Sequence, residues 1–460
     1  MTMKRRGFLA AGSAGVGASV LPAQAGAAPL LAAAPERVLV IGAGMSGLAA
    51  AKKLREAGKE VVVLEARTRI GGRIDTYTGW SDARVDMGAT WIHGDSDSNP
   101  LAVLARSIGA RLATTSYTSY ETFDSDGTKL GSTARSQLKK LQTQMENVLA
   151  TAQDASTDQS VRDAARAGLG YGTRSEADKK RIDFLVNSTI EHEYAGDATK
   201  LSTYWYDNMS EYAGNDALFL DGYKVLLDAL ASGLDIRFGQ VVTRIAYDSA
   251  GVTVTTKSGS FAASRVVVTL PLGVLQSGSV SFSPALPAAK QTAISKLGMG
   301  VYNKCYLRFP YAFWNTQVDW IEYIPERTYY GQWAEWVSFA RPTGQPILLG
   351  FNAAAFGKTI ESWTDQEIVT DAMDTLKTMY GDGIPAPTSW AITRWASDPY
   401  AGGSYSCNVL GSTPTMRTNL AANVAKRLYF AGEATEKTNF ATAHGAYLSG
   451  LRAASEVLSG

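Results

Sequence analysis

One local arrangement constrains this chain more than any other: a strand, a glycine-punctuated turn, a helix, and a second strand that ends in an acid. Arg37 to Ile41 is a short apolar run rich in β-branched residues. Gly42-Ala43-Gly44-Met45-Ser46-Gly47 follows, then an Ala/Leu-rich helical stretch to Gly58, then Glu60 to Leu64, closed by Glu65. This is a βαβ repeat of the length that nucleotide-binding sheets use. Glycine-rich turns are common, so the pattern alone says little, but its placement between strand and helix gives it chemical meaning. Gly42 permits the tight turn, Gly44 lets backbone approach a pyrophosphate, and Gly47 lets the helix pack on the sheet. The free N–H groups of the helix start then face the phosphates. Glu65 is placed to accept hydrogen bonds from ribose hydroxyls.

The rest of the chain is large enough for more than one lobe. It has 460 residues, 45% of them hydrophobic, beyond the size of a single simple core. Lys plus Arg number 44 and Asp plus Glu 43, so there is no net field to hold nucleic acid or an anionic membrane. Two cysteines, Cys305 and Cys407, and three histidines, His93, His192 and His444, are too few and too scattered for a disulfide framework or a zinc or iron site. The first residues read as an export signal. Lys4-Arg5-Arg6-Gly7-Phe8-Leu9 is a twin-arginine pattern, an apolar Ala/Gly stretch runs to about Leu21, and Ala23-Gln24-Ala25 offers a cleavage site. The expected destination is extracellular or periplasmic, with no stable membrane insertion, since no later stretch is long and apolar enough to span a bilayer.

Nucleotide-type segments recur at the start, middle and end. Residues 236–238, 241–247, 252–256 and 265–270 read as strands, 427–431 as a last buried strand and 443–458 as a last helix. Between them, residues 99–190 read as helical and polar, with Leu138, Leu141, Met145 and Leu149 at helical spacing, and residues 302–351 as rich in strands. The expected fold class is α/β, a discontinuous Rossmann-like domain with an inserted mixed α+β substrate-binding domain. The expected boundaries are 1–34 for the signal and linker, 35–105, 218–282 and 395–460 for the cofactor domain, and 106–217 and 283–394 for the substrate domain.

Further motifs discriminate between dinucleotides. Arg67 to Arg73 reads R-T-R-I-G-G-R, in which Gly72 and its neighbour let the chain run close to a phosphate while Arg73 supplies charged donors. Asp86-Met87-Gly88-Ala89-Thr90-Trp91 and Leu428-Tyr429-Phe430-Ala431-Gly432-Glu433 follow in order, the latter leading to a helix that starts near Ala443. Together these motifs resemble the flavin amine oxidase family, over essentially the whole chain from Arg37 to Ser455. The resemblance implies FAD, held by Gly42, Gly44, Gly47, Glu65, Arg67, Gly72, Arg73, Gly88, Ala89, Thr90, Trp91, Val242, Trp395, Gly432, Glu433, Thr442 and Ala443.

Within that family the chain is most similar to polyamine oxidases of the spermine and acetylpolyamine type. The segment from Gly88 to Gly94 resembles the one that carries their active-site histidine, here His93. The strand Tyr302-Asn303-Lys304-Cys305-Tyr306-Leu307-Arg308-Phe309 resembles the one that places a lysine, here Lys304, near flavin N5 through a water. Residues 394–400 with Gly403-Ser404-Tyr405 resemble the turn beside the flavin ring, and residues 442–450 the entry of the last helix. The resemblance implies Lys304, His93, Tyr405 and Thr442 as catalytic residues, and Glu191, Glu193, His93 and Tyr405 as the residues that hold substrate. Lys304 in an otherwise apolar strand is unusual on physical grounds alone. The implied reaction takes a hydride from the amine α-carbon to flavin N5, passes electrons to dioxygen to give hydrogen peroxide, and leaves an imine that hydrolyses to an aldehyde and an amine.

Two departures separate the chain from monoamine oxidases. Tyr405 matches one of their two facing tyrosines, but Thr442 stands where the other would be. Ser404 occupies the place of their flavin-linking cysteine, so FAD is expected to be non-covalent. The alternatives are an oxidase of monoamines or of L-amino acids, the latter requiring an arginine for the carboxylate, and an FAD-dependent desaturase or isomerase. Arg308 and Arg394 are expected to serve the fold rather than such a clamp. A non-enzymatic role would leave Lys304 and the His93 motif without purpose.

Overall fold

The computed structural model describes residues 36–460, so the twin-arginine pattern and the cleavage site lie outside the described residues. Strand Arg37–Ile41 is the centre of a five-stranded, fully parallel sheet. Its neighbours are Glu60–Leu64 and then Asp235–Arg237 on one side, and Arg265–Val268 and then Leu428–Phe430 on the other. These strands are nearly all apolar because both faces are covered. Val38 and Val40 pack beneath the helices Met45–Glu56 and Ala443–Ser459, while Leu39 and Ile41 pack toward a four-stranded sheet built on Val242–Tyr247 and Val252–Thr256. The two helices meet closely: a Cβ on Gly450 would stand 2.1 Å from the Ser46 carbonyl oxygen.

A second, six-stranded sheet is antiparallel except at one edge. Its order is Ser389–Ile392, Tyr302–Arg308, Ile347–Ala353, Glu335–Ser338, Trp320–Tyr323 and Tyr120–Phe123. Alternation sorts its side chains. Cys305, Leu307, Ile321, Trp336 and Leu348 face the helix Asp365–Tyr380, whose Ile368, Ala372 and Leu376 meet them. Tyr306, Trp320, Val337, Leu349 and Phe351 face the other way, toward Met87, Trp395 and Leu218. A helical layer completes the fold. Helix Ser132–Gln153 buries Leu138, Leu141, Met145 and Leu149, the residues that helical spacing selected. Burying each such leucine contributes about 1.5–3 kcal/mol.

The α/β class with a discontinuous Rossmann-like sheet is therefore the fold observed. Residues 99–190 are less uniformly helical than their polarity suggests. Leu112–Thr115 and Tyr120–Phe123 are strands, recruited by edges of the three-stranded and six-stranded sheets. Gly259–Ala263 adds a strand where the pattern gave none, by hairpin pairing with Val252–Thr256.

Candidate active site

A continuous cavity of about 1810 Å³ runs from the parallel sheet to the six-stranded sheet. Binding sites for one small ligand hold roughly 300–1,000 Å³, so this space takes a dinucleotide and a substrate together. At one end the glycine turn forms its wall. Gly42 has φ +100°, and a Cβ there would meet Thr269 Oγ1 at 2.6 Å. A Cβ on Gly47 would stand 2.0 Å from the Gly42 carbonyl oxygen, so Gly47 closes the turn and does not itself line the cavity. Gly44 lies on the wall, where a Cβ would have only the Gly71 carbonyl oxygen, at 3.7 Å, as a close protein neighbour. The glycine there leaves room on the cavity side.

Glu65 is 5% exposed, and its carboxylate accepts the Ala43 N–H at 2.7 Å and the Arg67 N–H at 2.8 Å. Two of about four acceptor positions are filled, and the rest are free for ribose hydroxyls. Val242 lies beside it on the cavity wall. Arg67 is held by a two-pronged pair with Asp398, both contacts at 2.8 Å, and lies over the Tyr400 ring. Arg73 donates to Ser404 O at 2.9 Å and to Glu433 Oε1 at 2.8 Å. Burial pushes the Glu433 carboxyl pKa up, but Arg73, Ser406 and Arg417 outweigh it and hold it below the usual range. Gly72, with φ +58°, Gly432 and Ala443 complete this stretch of wall.

The middle of the cavity is set by the segment Asp86 to Trp91. A Cβ on Gly88 would stand 1.7 Å from Arg73 O, so only glycine lets these two loops touch. Lys304 rises from its strand and donates to Gly88 O at 2.6 Å, to Asp86 O at 2.9 Å and to the Thr90 hydroxyl. All three ammonium donors are thereby engaged with this segment. The Asp86 carboxylate accepts the Tyr223 N–H at 3.0 Å and the Thr76 hydroxyl at 2.5 Å, at the start of helix Lys224–Ala231. Burial lowers the Lys304 pKa and raises that of Asp86, each opposed by the charge of the other. Ala89 lies on the wall, and Trp395 donates from Nε1 to Met87 O at 3.3 Å behind it.

The remaining expected residues divide. Tyr405 lines the cavity and donates to the His192 and Glu193 carbonyls at 3.0 and 3.2 Å. His93 lines it too, with Nδ1 2.8 Å from Asp216 Oδ2. Burial pulls the His93 pKa down, and the Asp216 contact and charge more than reverse it. The Glu193 carboxyl faces the cavity, its pKa raised by burial against the pull of His93. Glu191 does not join them. Its carboxylate accepts the Asn187 side-chain N–H at 2.8 Å and the Ala198 N–H at 2.9 Å inside the helical layer, so the assignment of Glu191 to substrate is corrected. Both residues lie in helical turns, Asn187–Glu191 and His192–Tyr194, where side chains two apart project to nearly opposite sides. Thr442 lines the cavity, but its hydroxyl accepts the Gly445 N–H and donates to Asn439 O, capping the last helix. Its contribution is to the helix terminus that points at the cavity. Trp91 donates to Thr115 Oγ1 and stacks on Trp320 at 5.9 Å, which puts it on the aromatic, substrate side.

Sequence reasoning missed Tyr302, Trp320, Glu322, Glu335 and Asp216, all on the cavity wall. The two glutamates carry the signal that picked out Lys304, an ionisable residue in an apolar strand, in W-I-E-Y and E-W-V-S. Arg308 pairs with Asp82 and Arg394 with Asp365, both away from the cavity. Cys305 and Cys407 are free and buried, and neither lines it.

The donors fit a flavin dinucleotide: an acid at the end of the second strand, two helix starts, and paired arginines along a glycine-lined wall. The comparison with known families decides the matter. The family described as flavin containing amine oxidoreductase matches residues 45–458. The chain belongs to this family. This amine oxidoreductase is 35% identical to polyamine oxidase 4 of Oryza sativa subsp. japonica, over 92% of its length and 89% of the relative's. It is 34% identical to polyamine oxidase 2 of Arabidopsis thaliana, over 91% and 87%. It is also 35% identical to lysine-specific histone demethylase 1 homolog 2 of Arabidopsis thaliana, spanning 92% of this chain but 58% of that protein. Among solved structures, a putrescine oxidase double mutant redesigned in cofactor binding shares the fold, with TM-score 0.74, 18% identity, and coverage of 93% of this chain and 99% of that one. The chain is thus an FAD-dependent amine oxidase acting on small amines with dioxygen.

Proposed function

We propose that this amine oxidase acts on polyamines, spermine or spermidine in preference to monoamines. The observation that carries this reading is the excess of acid on the cavity wall: beyond the paired charges of the cofactor end, Glu146, Glu193, Asp207, Glu211, Asp216, Glu322 and Glu335 lie along it, against Arg135, Lys139, Lys257 and Lys304. A chain of ammonium groups is the complement of such a wall. The polyamine oxidases among the relatives point the same way. FAD, when bound, supplies the two-electron acceptor. The protein positions the amine between Tyr405 and the Lys304 side of the wall, and the aromatic surround of Tyr302, Trp320 and Trp91 favours a neutral reacting nitrogen. Lys304, fixed by Gly88 and Thr90, sets positive charge beside the segment that borders the flavin. The imine product then hydrolyses to an aldehyde and an amine.

An amino-acid substrate is disfavoured, because Arg67 and Arg73 are tied to Asp398 and Glu433, and Arg135, the third arginine on the wall, is an exposed residue of helix Ser132–Gln153. Peroxide release with spermine, spermidine, putrescine, tyramine and leucine tests the reading, and a better kcat/KM for tyramine or leucine ends it. Glu193→Ala is expected to raise KM for the polyamine about tenfold or more while kcat changes little, because an anchor holds ground and transition states alike. Export by the twin-arginine route completes the proposal, and replacing Arg5 and Arg6 with Lys is expected to keep the enzyme inside the cell; undiminished export of that variant rules it out.

A further inference from the structure

The helix Pro414–Ala421 turns a charged residue inward. Its buried positions, Pro414, Arg417 and Leu420, recur every three residues along one face. Leu420 packs against Leu272, Ala293 and Ala434, as that pattern requires. Arg417 instead brings a guanidinium into the interior, where it is 0% exposed. Its Nε donates to Asn408 Oδ1 at 3.0 Å, and its Nη1 to Ser406 Oγ at 2.7 Å and to Ala434 O at 3.3 Å. Its Cζ lies 3.8 Å from the centre of the Phe440 ring. Nη2 has no partner. An arginine so deeply buried is costly unless its charge is answered, and an apolar side chain of similar volume is the choice that stability alone favours.

The charge is answered one hydroxyl away. Ser406 accepts from Arg417 and donates to Glu433 Oε2 at 2.6 Å. The same Oε2 accepts the Ala441 N–H at 2.9 Å, while Oε1 accepts from Arg73 Nη1 at 2.8 Å. Glu433 thus holds two pieces of the cofactor wall at once: the Arg73 loop by one oxygen, and the approach to the last helix by the other. Ala441 sits at φ +64°, a left-handed conformation that a residue with a Cβ disfavours. It is held from both sides, by Glu433 on its own N–H and by the Arg417 guanidinium on its neighbour Phe440. Two residues further on, helix Ala443–Ser459 begins at the cavity wall.

We infer that Arg417 is a positioning residue of the flavin site: through Ser406 it orients the Glu433 carboxylate, and by lying on Phe440 it seats the turn that aims the last helix at the cofactor. Arg417 does not line the cavity, so it acts on the flavin through these neighbours alone. Burial pulls the Arg417 pKa down to about 10, against the charge of Glu433, which leaves it a cation at neutral pH. Arg73 and Arg417 are the cations that oppose the burial of Glu433. The Cys407 thiol beside them is neutral, since burial pushes it up to about 12. Arg452, on the last helix, is occupied with Phe430 O at 2.8 Å and Thr435 Oγ1 at 3.2 Å. Without Arg417, Glu433 takes up a proton at higher pH, and its hold on Arg73 and Ala441 weakens with it.

The test follows flavin release from the holoenzyme by fluorescence as pH is lowered, together with FAD affinity at neutral pH and Tm. No amine enters these readouts, so they stand apart from the choice of substrate. Arg417→Met is expected to weaken FAD binding about tenfold, as for loss of one charge-assisted contact, and to release flavin at higher pH than wild type. Ser406→Ala breaks the link and leaves the arginine, and is expected to shift both readouts the same way by less. Arg417→Lys keeps the charge and is expected to stand closer to wild type than Arg417→Met. Lys290→Met is the control for a loosened helix. Lys290 Nζ donates to Asn419 O at 3.0 Å and Leu420 O at 2.5 Å, at the end of the same helix and away from Glu433. That variant is expected to lower Tm while flavin affinity and release pH stay at wild-type values. Wild-type release and affinity in both Arg417→Met and Ser406→Ala overturns the inference and leaves Arg417 a residue of the core. An Arg417→Lys no better than Arg417→Met, or a Lys290→Met that loses flavin as readily, overturns it as well. Should Arg417→Met fail to fold, Ser406→Ala decides, since it removes a single hydroxyl.

Discussion

The two ends of the cavity treat charge in opposite ways. At the parallel sheet, Arg67 is matched by Asp398, Arg73 by Glu433, and Glu65 by two backbone N–H groups. At the six-stranded sheet, Glu322 faces Glu335, and Glu193 feels Asp216, Glu335 and Glu211 around it. The first end is finished within the protein, so a ligand adds to it without repairing it. The second is left with like charges in proximity, which a cationic ligand relieves. The cofactor end is thus built for permanent occupancy, and the substrate end for exchange. Variants sharpen this contrast when they separate flavin retention from turnover.

The largest effect is expected at the glycine turn. Gly47→Ala puts a methyl where the Gly42 carbonyl already stands, at 2.0 Å. Backbone cannot yield there without opening the turn that presents the helix start to the pyrophosphate. The variant is expected to purify without flavin absorbance, whatever amine is offered. A yellow variant with full flavin content would show that the cofactor end tolerates what its packing forbids.

Lys304→Met tests the boundary between the two ends. The ammonium binds Gly88 and Asp86 carbonyls from the cofactor side and stands on the substrate sheet. Flavin is expected to remain, held by contacts the variant does not touch, while kcat falls about 100-fold, the loss seen when one preorganised electrostatic donor is removed. Stopped-flow kinetics divides the loss between flavin reduction and reaction with dioxygen, and the latter is expected to carry most of it. A kcat within about twofold of wild type would reduce Lys304 to a support for the Asp86–Thr90 loop.

The same contrast explains how far the sequence could be read. The cofactor end is written in contiguous residues. Gly42, Gly44, Gly47 and Glu65 lie in one βαβ stretch, and their roles follow from backbone geometry that only glycine permits. The substrate end is written in register. Glu322 and Glu335 meet because two strands pair, and Asp216 reaches His93 from 123 residues away. No local spacing contains those facts. Glu191 and Glu193 show the hazard of local reading: two residues apart in sequence, they lie in consecutive helical turns that send one into the helical layer and the other to the cavity. Thr442 was legible as a position and not as a role, since a threonine before a helix is first of all a cap.

The smallest effect concerns an ion pair at the substrate end, His93 with Asp216. The pKa of His93 is raised: burial opposes the charged form, and Asp216 more than compensates. That of Asp216 is lowered: burial again opposes charge, and His93 wins. A raised histidine contributes stability that is fully present below its unfolded value of about 6.5 and is lost as pH rises through the higher folded value. A lowered aspartate contributes stability present above about 3.9 and lost as pH falls through its lower folded value. The pair therefore stabilises most between these limits and fades on both sides. The gain is small, because His93 keeps 52% of its side-chain surface accessible. Asp216→Asn removes the charge and leaves only Glu193 to oppose burial, so the His93 titration, followed by NMR in a chain with only three histidines, is expected to move to lower pH. The Tm difference between wild type and variant is expected to be largest in the same window and to shrink above it. If His93 titrates at the same pH in the variant, the pair is a contact without electrostatic consequence, and the substrate end holds its histidine by packing alone.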